Sequence, residues 1–374
     1  MNNTETNSTG RGGDVHGLSA QDAIFISLYS VIVTVGIIGN SLVVFVVRTS
    51  RSLHTTTNFL IGNLALTDVL ILVWVLHSEL LSYTYNHPSG ITGDYLCKVL
   101  TGGFLVSFLI RVGLLTLTAL AYERYNALVN AMNSSTKLTK ENFFKVVSMM
   151  WILSLLVGIP QTAASKYDQT AGYCIGVWTY QHTNRIHLGY RIYATILLAF
   201  FGIVPVLIIS FCYYKIVKGL AWDMTICGQD IAGQNDIKAK RRVVRLLVTV
   251  TVMFYISYAP FTVTILLSAW QEHAFAASAL LKANITSSFL VFCSSCFNPI
   301  VYSCQSTSYR QEMKKLFAKT FKFPCRNCKT CRVRIKTDVS AKYDLRDSSR
   351  KVTSMKSGAG RYNQRISSYC LTSI

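Results

Sequence analysis

An acid and a base stand side by side where an apolar run ends. Residues 117–129 read LTALAYERYNALV, so Glu123 and Arg124 follow two apolar turns and Tyr125 comes next. A carboxylate beside a guanidinium can form short, charge-assisted hydrogen bonds. The alternative is an arginine whose charge reaches the water at the edge of a membrane. The sequence shows neither a nucleophile paired with a base nor a glycine-rich phosphate loop, so the pair does not predict an enzyme.

Four more polar residues lie inside apolar runs, where each needs a partner. Asn40, Asp68 and Asn298 lie at depths that would let them meet in one bundle. A buried acid with amide neighbours indicates an ion or water site, and the proton-relay carboxylate of a pump is the alternative. Arg111 either binds an anionic group of a ligand or pairs within the bundle.

Composition places these residues in membrane-spanning helices. Of the 374 residues, 51% are hydrophobic and 14% charged, and the mean hydropathy is +0.35, whereas soluble domains carry about 25% charged residues. A helix needs roughly 20 apolar residues to cross a bilayer. We predict an all-α membrane protein with a seven-transmembrane helix bundle. The seven apolar runs cover residues 24–47, 59–81, 99–122, 144–164, 190–214, 243–269 and 279–302.

The formal charge of +20 gathers on one side of the predicted bundle. The segments after the first, third and fifth runs and the tail hold most of the lysines and arginines, and the tail alone holds 17. The positive-inside rule makes the tail cytoplasmic and the N-terminus extracellular. We predict a multi-pass protein of the plasma membrane whose basic residues contact anionic membrane lipid. No nucleic-acid partner is expected.

The bundle is flanked by a short N-terminus and a long tail. Asn2 and Asn7 begin glycosylation sequons. Cys325, Cys328 and Cys331 favour palmitoylation, because a structural zinc site needs four ligands and the tail has no histidine. The predicted parts are a glycosylated extracellular N-terminus at 1–23, the seven-transmembrane domain at 24–302, an amphipathic helix 8 on the membrane surface at 303–323 and a disordered basic cytoplasmic tail at 324–374.

Two cysteines lie on the extracellular side in this topology. Cys97 stands at the top of the third run and Cys174 in the loop that follows the fourth. An oxidising compartment pairs such thiols, so we predict a disulfide between them. Aromatic and β-branched residues around Cys174 favour a short hairpin, which the disulfide would fasten to the third run.

Each apolar run carries a landmark residue or motif. In chain order these are Gly39-Asn40, Asp68, Cys97, Glu123-Arg124-Tyr125, Trp151, Pro205 with Tyr213, Pro260, and the NPIVY motif from Asn298 through Pro299 to Tyr302. Together they resemble the landmarks of the rhodopsin-like (class A) G-protein-coupled receptors, over about residues 24–323. The NFLIGNLALTDVL segment of the second run is especially similar to neuropeptide receptors of the neuropeptide Y, prolactin-releasing peptide and RFamide type.

The resemblance implies that Glu123 and Arg124 form a latch. Glu123 would hold Arg124 at rest, and on activation Arg124 would meet a heterotrimeric G protein, with Tyr213 and Tyr302 in support. The KAKRRVVR segment at 238–245 has no acid to hold the arginine a second time, so we expect measurable signalling without agonist. The implied coupling and switch residues are Glu123, Arg124, Tyr125, Met132, Tyr213, Phe254, Tyr258, Pro260, Asn298, Pro299 and Tyr302.

Two further sites of the family carry over with changes. The toggle residue of the sixth run is Tyr258, packed beneath Phe254. The only cofactor implied is an allosteric sodium ion, although Gly113 replaces the serine that commonly helps to hold it. The sodium ligands would be Asp68, Ser294 and Asn298.

The ligand class follows by exclusion. Val106 stands where amine receptors carry an aspartate, and no lysine lies between residues 283 and 302 to bind retinal. The long loop around Cys174 favours a peptide, which we expect to be an amidated neuropeptide whose basic residue pairs with Glu79 or Glu272. The candidate ligand-binding residues are Glu79, Val106, Arg111, Cys174, Trp178, Tyr258 and Glu272.

Two alternatives stay open. If Arg111 binds the ligand, the ligand is an anionic lipid or a small acid. A seven-helix transporter or ion pump is the alternative from another class, but it would place paired acids along a path, and Asp68 is the only clear acid in the middle of a run. The tail predicts further partners, namely receptor kinases and arrestin at its serines and a PDZ protein at Thr372-Ser373-Ile374.

Overall fold

The computed structural model confirms the seven-helix bundle. It describes residues 20–84, 87–130, 138–170, 173–176, 184–227, 231–270 and 277–320. Within these ranges seven helical segments are long and apolar enough to cross a membrane. They lie over the seven apolar runs, because only a helix satisfies its own backbone hydrogen bonds in hydrocarbon while it crosses alone.

Ten α-helices build the described part of the chain. The third span joins α3 to α4, and the fifth span joins α6 to α7. The bounds are α1 Ala20–Thr49, α2 Thr56–Thr84, α3 Gly90–Leu96, α4 Phe104–Leu128, α5 Lys140–Ala164, α6 Asn184–Leu197, α7 Val204–Cys227, α8 Ile231–Trp270, α9 Ala277–Gln305 and α10 Thr307–Thr320.

Both joined spans contain a wider π-helical turn, at Cys97–Thr101 and at Leu198–Ile203. Such turns add a residue to the helix and re-aim the side chains beyond it. Between the first π-turn and α4, Gly103 has φ of 77°. A side chain at Gly103 would be strained in this left-handed conformation. The glycine therefore lets the third span change direction at its extracellular end.

The helix α4 is the central helix of the bundle. Its buried side chains include Leu109, Leu114 and Leu120, each at most 1% exposed. The outer helices instead expose large apolar residues, such as Phe144 on α5 and Leu207 on α7. In lipid these exposed side chains face hydrocarbon, and tight van der Waals packing holds the helices together.

A two-stranded hairpin covers the N-terminal end of the third span, as predicted. Strands β1, Ser165–Asp168, and β2, Tyr173–Gly176, pair antiparallel. A disulfide joins Cys97 to Cys174, and the ring of His87 stacks on Tyr167 of β1 at 4.5 Å. The hairpin is thus fixed covalently and by packing.

The amphipathic helix α10 follows the seventh span after a single residue. Glu312 of α10 accepts hydrogen bonds from Ser50 and Ser52, both at 3.0 Å. Tyr309 of α10 stacks on Tyr302 with ring centroids 5.8 Å apart. These contacts fasten α10 to the turn between α1 and α2 and to the C-terminal end of α9.

Candidate functional site

A cavity of about 590 Å³ opens between the helices on the side that carries the disulfide. Its wall includes Val106 and Arg111 of α4, Cys174 of the hairpin and Tyr258 of α8. Four of the seven predicted ligand-binding residues therefore share one cavity. Val106 contributes an apolar surface there, as the argument against an amine ligand requires.

The other three predicted ligand residues cannot be assigned to the cavity wall. Glu79 belongs to α2, but its side chain is outside the described part of the structure. Trp178 and Glu272 lie outside the described residues.

Several polar cavity residues were missed by the sequence reasoning. They come from different helices, namely Ser107, Gln161, Tyr190, Tyr193 and Asn284. The pair Tyr190 and Tyr193 stands three residues apart, which places both on one face of a helix. That spacing was a usable signal, whereas the meeting of Gln161 with Ser107 across two helices was not visible in the sequence.

Arg111 is the one cationic residue among the described residues that line the cavity. It is only 4% exposed, and its Nε and Nη2 atoms have no hydrogen-bond partner in the described part of the chain. Tyr193 and Tyr258 lie close enough to interact with it electrostatically. The structure thus brings Arg111 to the ligand cavity and leaves it without a carboxylate among the described residues.

A column of aromatic rings leads from the cavity towards the cytoplasmic half. Tyr258 lies 6.2 Å from Phe261 and stacks on Phe254 at 5.5 Å. The bundle contains an outer apolar cluster, around Ile110, and an inner apolar cluster, around Leu117. Phe254 packs against both. Tyr258 and Phe254 are neighbours as predicted but in the reverse order, because Tyr258 lines the cavity and Phe254 lies beneath it, and Pro260 lies inside the same helix. A group that binds against Tyr258 would therefore press on the inner cluster.

The polar residues at mid-span depth meet as expected, but the serine beside Asp68 is not the one expected. Asn298 donates to Oδ2 of Asp68 at 2.7 Å. Asn40 donates to the carbonyl of Ser295 at 2.8 Å. The hydroxyl of Ser295 lies beside Asp68, whereas that of Ser294 donates to the carbonyl of Val291. The serine neighbour of the acid is thus Ser295, which follows Ser294 by one residue.

The Glu123–Arg124 pair forms a closed network at the C-terminal end of α4. Arg124 donates to Glu123 from Nε at 2.6 Å and from Nη2 at 2.8 Å. Glu123 is 8% exposed and also accepts hydrogen bonds from Thr56 at 3.0 Å and Thr57 at 2.8 Å. Arg124 donates to Thr57 as well. The three hydrogen bonds of Arg124 restrain its guanidinium, the two from the threonines to Glu123 hold the carboxylate, and none of the five uses an acid of the sixth span.

Tyr213 and Tyr302 stand apart from this network. The hydroxyl of Tyr213 lies 3.3 Å from that of Thr251, and Tyr302 is buried against Tyr309. Asn298 and Pro299 begin the motif that ends at Tyr302, and Tyr125 packs on Phe211 at 5.9 Å. Neither tyrosine supports Arg124 in this arrangement, which fits a latch at rest.

Several predicted positions lie outside the described residues. They are the sequon residues Asn2 and Asn7, the plug residue Met132, the palmitoylation candidates Cys325, Cys328 and Cys331, and the tail beyond residue 320.

Comparison with known proteins gives one family and one fold. The family described as "7 transmembrane receptor (rhodopsin family)" matches residues 39–302. The solved structure of squid rhodopsin is similar in fold, with a TM-score of 0.64 and 21% identity over 80% of this chain and 87% of the other.

Named relatives cover most of the chain at low identity. G-protein coupled receptor 54 of Oreochromis niloticus is 27% identical over 84% of both chains. Galanin receptor 2a of Danio rerio is 28% identical over 80% of both chains. The Substance-P receptor of Meriones unguiculatus is 26% identical over 79% of this chain and 71% of its own.

Proposed function

Because the chain belongs to the rhodopsin family of seven-transmembrane receptors, we propose that it binds an extracellular peptide and activates heterotrimeric G proteins. The family is one of receptors and not of enzymes. Named relatives are receptors for galanin and for substance P, and both names point to peptide ligands. We extend the proposal to an amidated neuropeptide, as the second span suggests.

The observation that carries the proposal is that one bundle contains a ligand-sized cavity near one end and the restrained Arg124 near the other. The cavity measures about 590 Å³ and is walled in part by the disulfide-fixed hairpin. Ligand pockets of proteins commonly measure about 300–1,000 Å³, so one end of a peptide fits while the rest lies outside. The distance from Arg111 to Arg124, thirteen residues along α4, is about 20 Å at the helical rise.

The mechanism follows from the two ends of the bundle. A peptide group in the cavity contacts Tyr258, which rests on Phe254. A change of packing at Phe254 shifts α8 against the inner cluster. This shift favours the arrangement in which Arg124 leaves Glu123 and meets the G protein, with Tyr213 and Tyr302 as its new neighbours. A ligand moves this equilibrium only by its difference in affinity for the two arrangements.

The family places the protein in a membrane with several spans. We place it in the plasma membrane with the N-terminus outside, which the distribution of lysine and arginine supports. Receptor kinases, arrestin, a PDZ protein and membrane lipid are the further partners we propose for the cytoplasmic side.

The test is G-protein activation in cells that express the chain. The ligands are galanin, substance P and an amidated peptide extract, beside an amine panel and a fatty-acid panel. We expect a response to peptide that protease digestion of the sample abolishes and that the Arg124→Ala variant lacks. A response to fatty acids alone, unchanged by protease, would reject the peptide and favour the anionic-lipid alternative.

A further inference from the structure

Arg111 holds a charge that the described part of the protein does not neutralise. Its side chain is 96% buried, since only 4% is exposed, and two of its nitrogens have no hydrogen-bond partner there. Buried hydrogen-bond donors without partners are costly, and charged ones more so. In the middle of a membrane span a lone cation is among the most costly groups. Such a residue persists where a ligand supplies the missing partner.

Arg111 reaches the cavity wall, and Gly158 of α5 makes room for its guanidinium. Arg111 lines the cavity, and a Cβ atom at Gly158 of α5 would stand 2.7 Å from Nη2. Gly158 thus leaves room that any other residue would take from the guanidinium. Tyr193, the neighbour on α6, donates its hydroxyl to the carbonyl of Val157 at 3.0 Å.

The single positive charge of the described cavity lining favours an anion with a single negative charge. Arg111 supplies the only cation of the described lining, and that lining contains no acid. A phosphate monoester with nearly two charges would stay about half neutralised, whereas a carboxylate with one charge is matched. The planar fork of a guanidinium also fits the two oxygens of a carboxylate.

We propose that Arg111 is the anchor for a single carboxylate of the ligand at the floor of the cavity. This inference rests on the proposed function and names the chemistry that the ligand must carry. The carboxylate comes from a free peptide C-terminus, from an aspartate or glutamate side chain, or from a fatty acid. An amidated peptide therefore meets Arg111 only through an acidic side chain.

The first experiment measures binding without peptide or G protein. The receptor is purified in lipid nanodiscs, and its Tm is measured with 3-phenylpropionate and with the neutral 3-phenylpropanamide at equal concentration. Binding to the folded state raises the Tm. We expect the Tm to rise by about 2 °C or more with the carboxylate at saturation. The affinity for the amide should be weaker by at least about tenfold, so that at the same concentration it raises the Tm less. Equal shifts, or no shift with either compound, would overturn the proposal.

Variants assign the effect to the one residue. Arg111→Met and Arg111→Gln should lose the carboxylate-specific shift, and Arg111→Lys should keep part of it. Arg191 is the matched control, because its side chain donates to the carbonyl of Ala269 and covers Trp270 at the extracellular end. Arg191→Gln should keep the shift. Retention in Arg111→Met would overturn the proposal, and the comparison of the two compounds on the unaltered receptor decides it even if a variant fails to fold.

A second series identifies the source of the carboxylate. It compares decanoate with pairs of N-acetylated peptides that have a free or an amidated C-terminus, with and without an acidic side chain. Because this binding assay needs no signalling, a failure of G-protein activation would reject the proposed function while the carboxylate site stood. Loss of the carboxylate preference would reject the site alone.

Discussion

At the scale of the residue, the latch depends on more than its adjacent acid and base. Two threonines of α2, Thr56 and Thr57, donate hydrogen bonds to the carboxylate of Glu123, to which Arg124 also donates. The sequence predicted the pair, because neighbours in the chain remain neighbours in space. It could not predict the threonines, which lie 67 and 66 residues away from Glu123.

Replacement of Glu123 by glutamine should raise signalling without agonist. The change removes the charge that holds Arg124, and hydrogen bonds to charged groups contribute about 1.5–3 kcal/mol. We expect agonist-independent G-protein activation to rise by about tenfold at equal surface expression. The matched control is Glu141→Gln in the first turn of α5, which should leave basal activity unchanged. An E123Q variant with the activity of the unaltered receptor would show that the pair is not a restraint.

The polar cluster around Asp68 allows a test of the sodium proposal. The carboxylate of Asp68 and the neighbouring hydroxyl of Ser295 are oxygen ligands of the kind that a sodium ion prefers, whereas Ser294 donates to the carbonyl of Val291 and Asn298 points its amide nitrogen at Asp68. We expect the Tm of the receptor to be higher in sodium chloride than in choline chloride at equal ionic strength. Asp68→Asn should abolish this difference. A Tm that does not distinguish the two salts in the unaltered receptor would argue against a bound sodium ion.

At the scale of the element, the hairpin was predictable and the π-turns were not. Aromatic and β-branched residues around Cys174 indicate strands, and the oxidising side of the membrane indicates the partner Cys97. The π-helical turn at Cys97–Thr101 depends instead on packing against neighbouring segments. Apolar runs locate the spans well, but a run does not mark where a helix continues into water. For this reason α8 begins at Ile231, twelve residues before the predicted run.

Loss of the Cys97–Cys174 disulfide should weaken the extracellular side of the receptor. The bond closes a loop of 77 residues, and loops of this length are stabilised by roughly 4–5 kcal/mol in the chain-entropy account. We expect Cys97→Ser and the double variant with Cys174→Ser to lose surface expression to the same extent. An effect of the double variant much larger than that of the single one would show that each thiol has a separate role.

The contact of α10 with the first intracellular turn should be local and weak. Hydrogen bonds from Lys315, Ser50 and Ser52 lower the pKa of Glu312 from its ordinary value of 4.5. A depressed carboxyl pKa contributes stability that is present above the unfolded pKa and is lost as pH falls through the lowered one. Lys315, the charged partner of Glu312, is exposed to solvent and the contact lies at the surface of α10, so the contribution is small.

Glu312→Gln should therefore speed amide hydrogen exchange in α10 and leave the Tm of the bundle within about 2 °C of its original value. Exchange is measured by mass spectrometry on the receptor in nanodiscs above pH 6. The control is Arg310→Gln, an exposed neighbour on the same helix. Equal exchange in E312Q and the unaltered receptor would show that Glu312 does not fasten α10.

Across the whole molecule, packed helices connect the ligand cavity to the Glu123–Arg124 latch. The cavity end contains the unneutralised Arg111, and the other end contains Arg124 held by Glu123. Between them, the ring of Tyr258 stacks on that of Phe254, which packs against both apolar clusters of the bundle. The order of the landmarks in the sequence predicted both ends. It could not predict that the described lining offers Arg111 no carboxylate, because that depends on how six helices and a hairpin enclose one space.

Activation of G proteins through Arg124 can be tested without a ligand. G-protein dissociation is measured by resonance energy transfer in cells that express the unaltered chain, Arg124→Ala at equal surface density, or an empty vector. The account predicts basal activity above the empty vector, because no acid of the sixth span contacts Arg124 among the described residues, and its loss in Arg124→Ala. Basal activity equal to the empty vector, or unchanged in Arg124→Ala, would contradict the account.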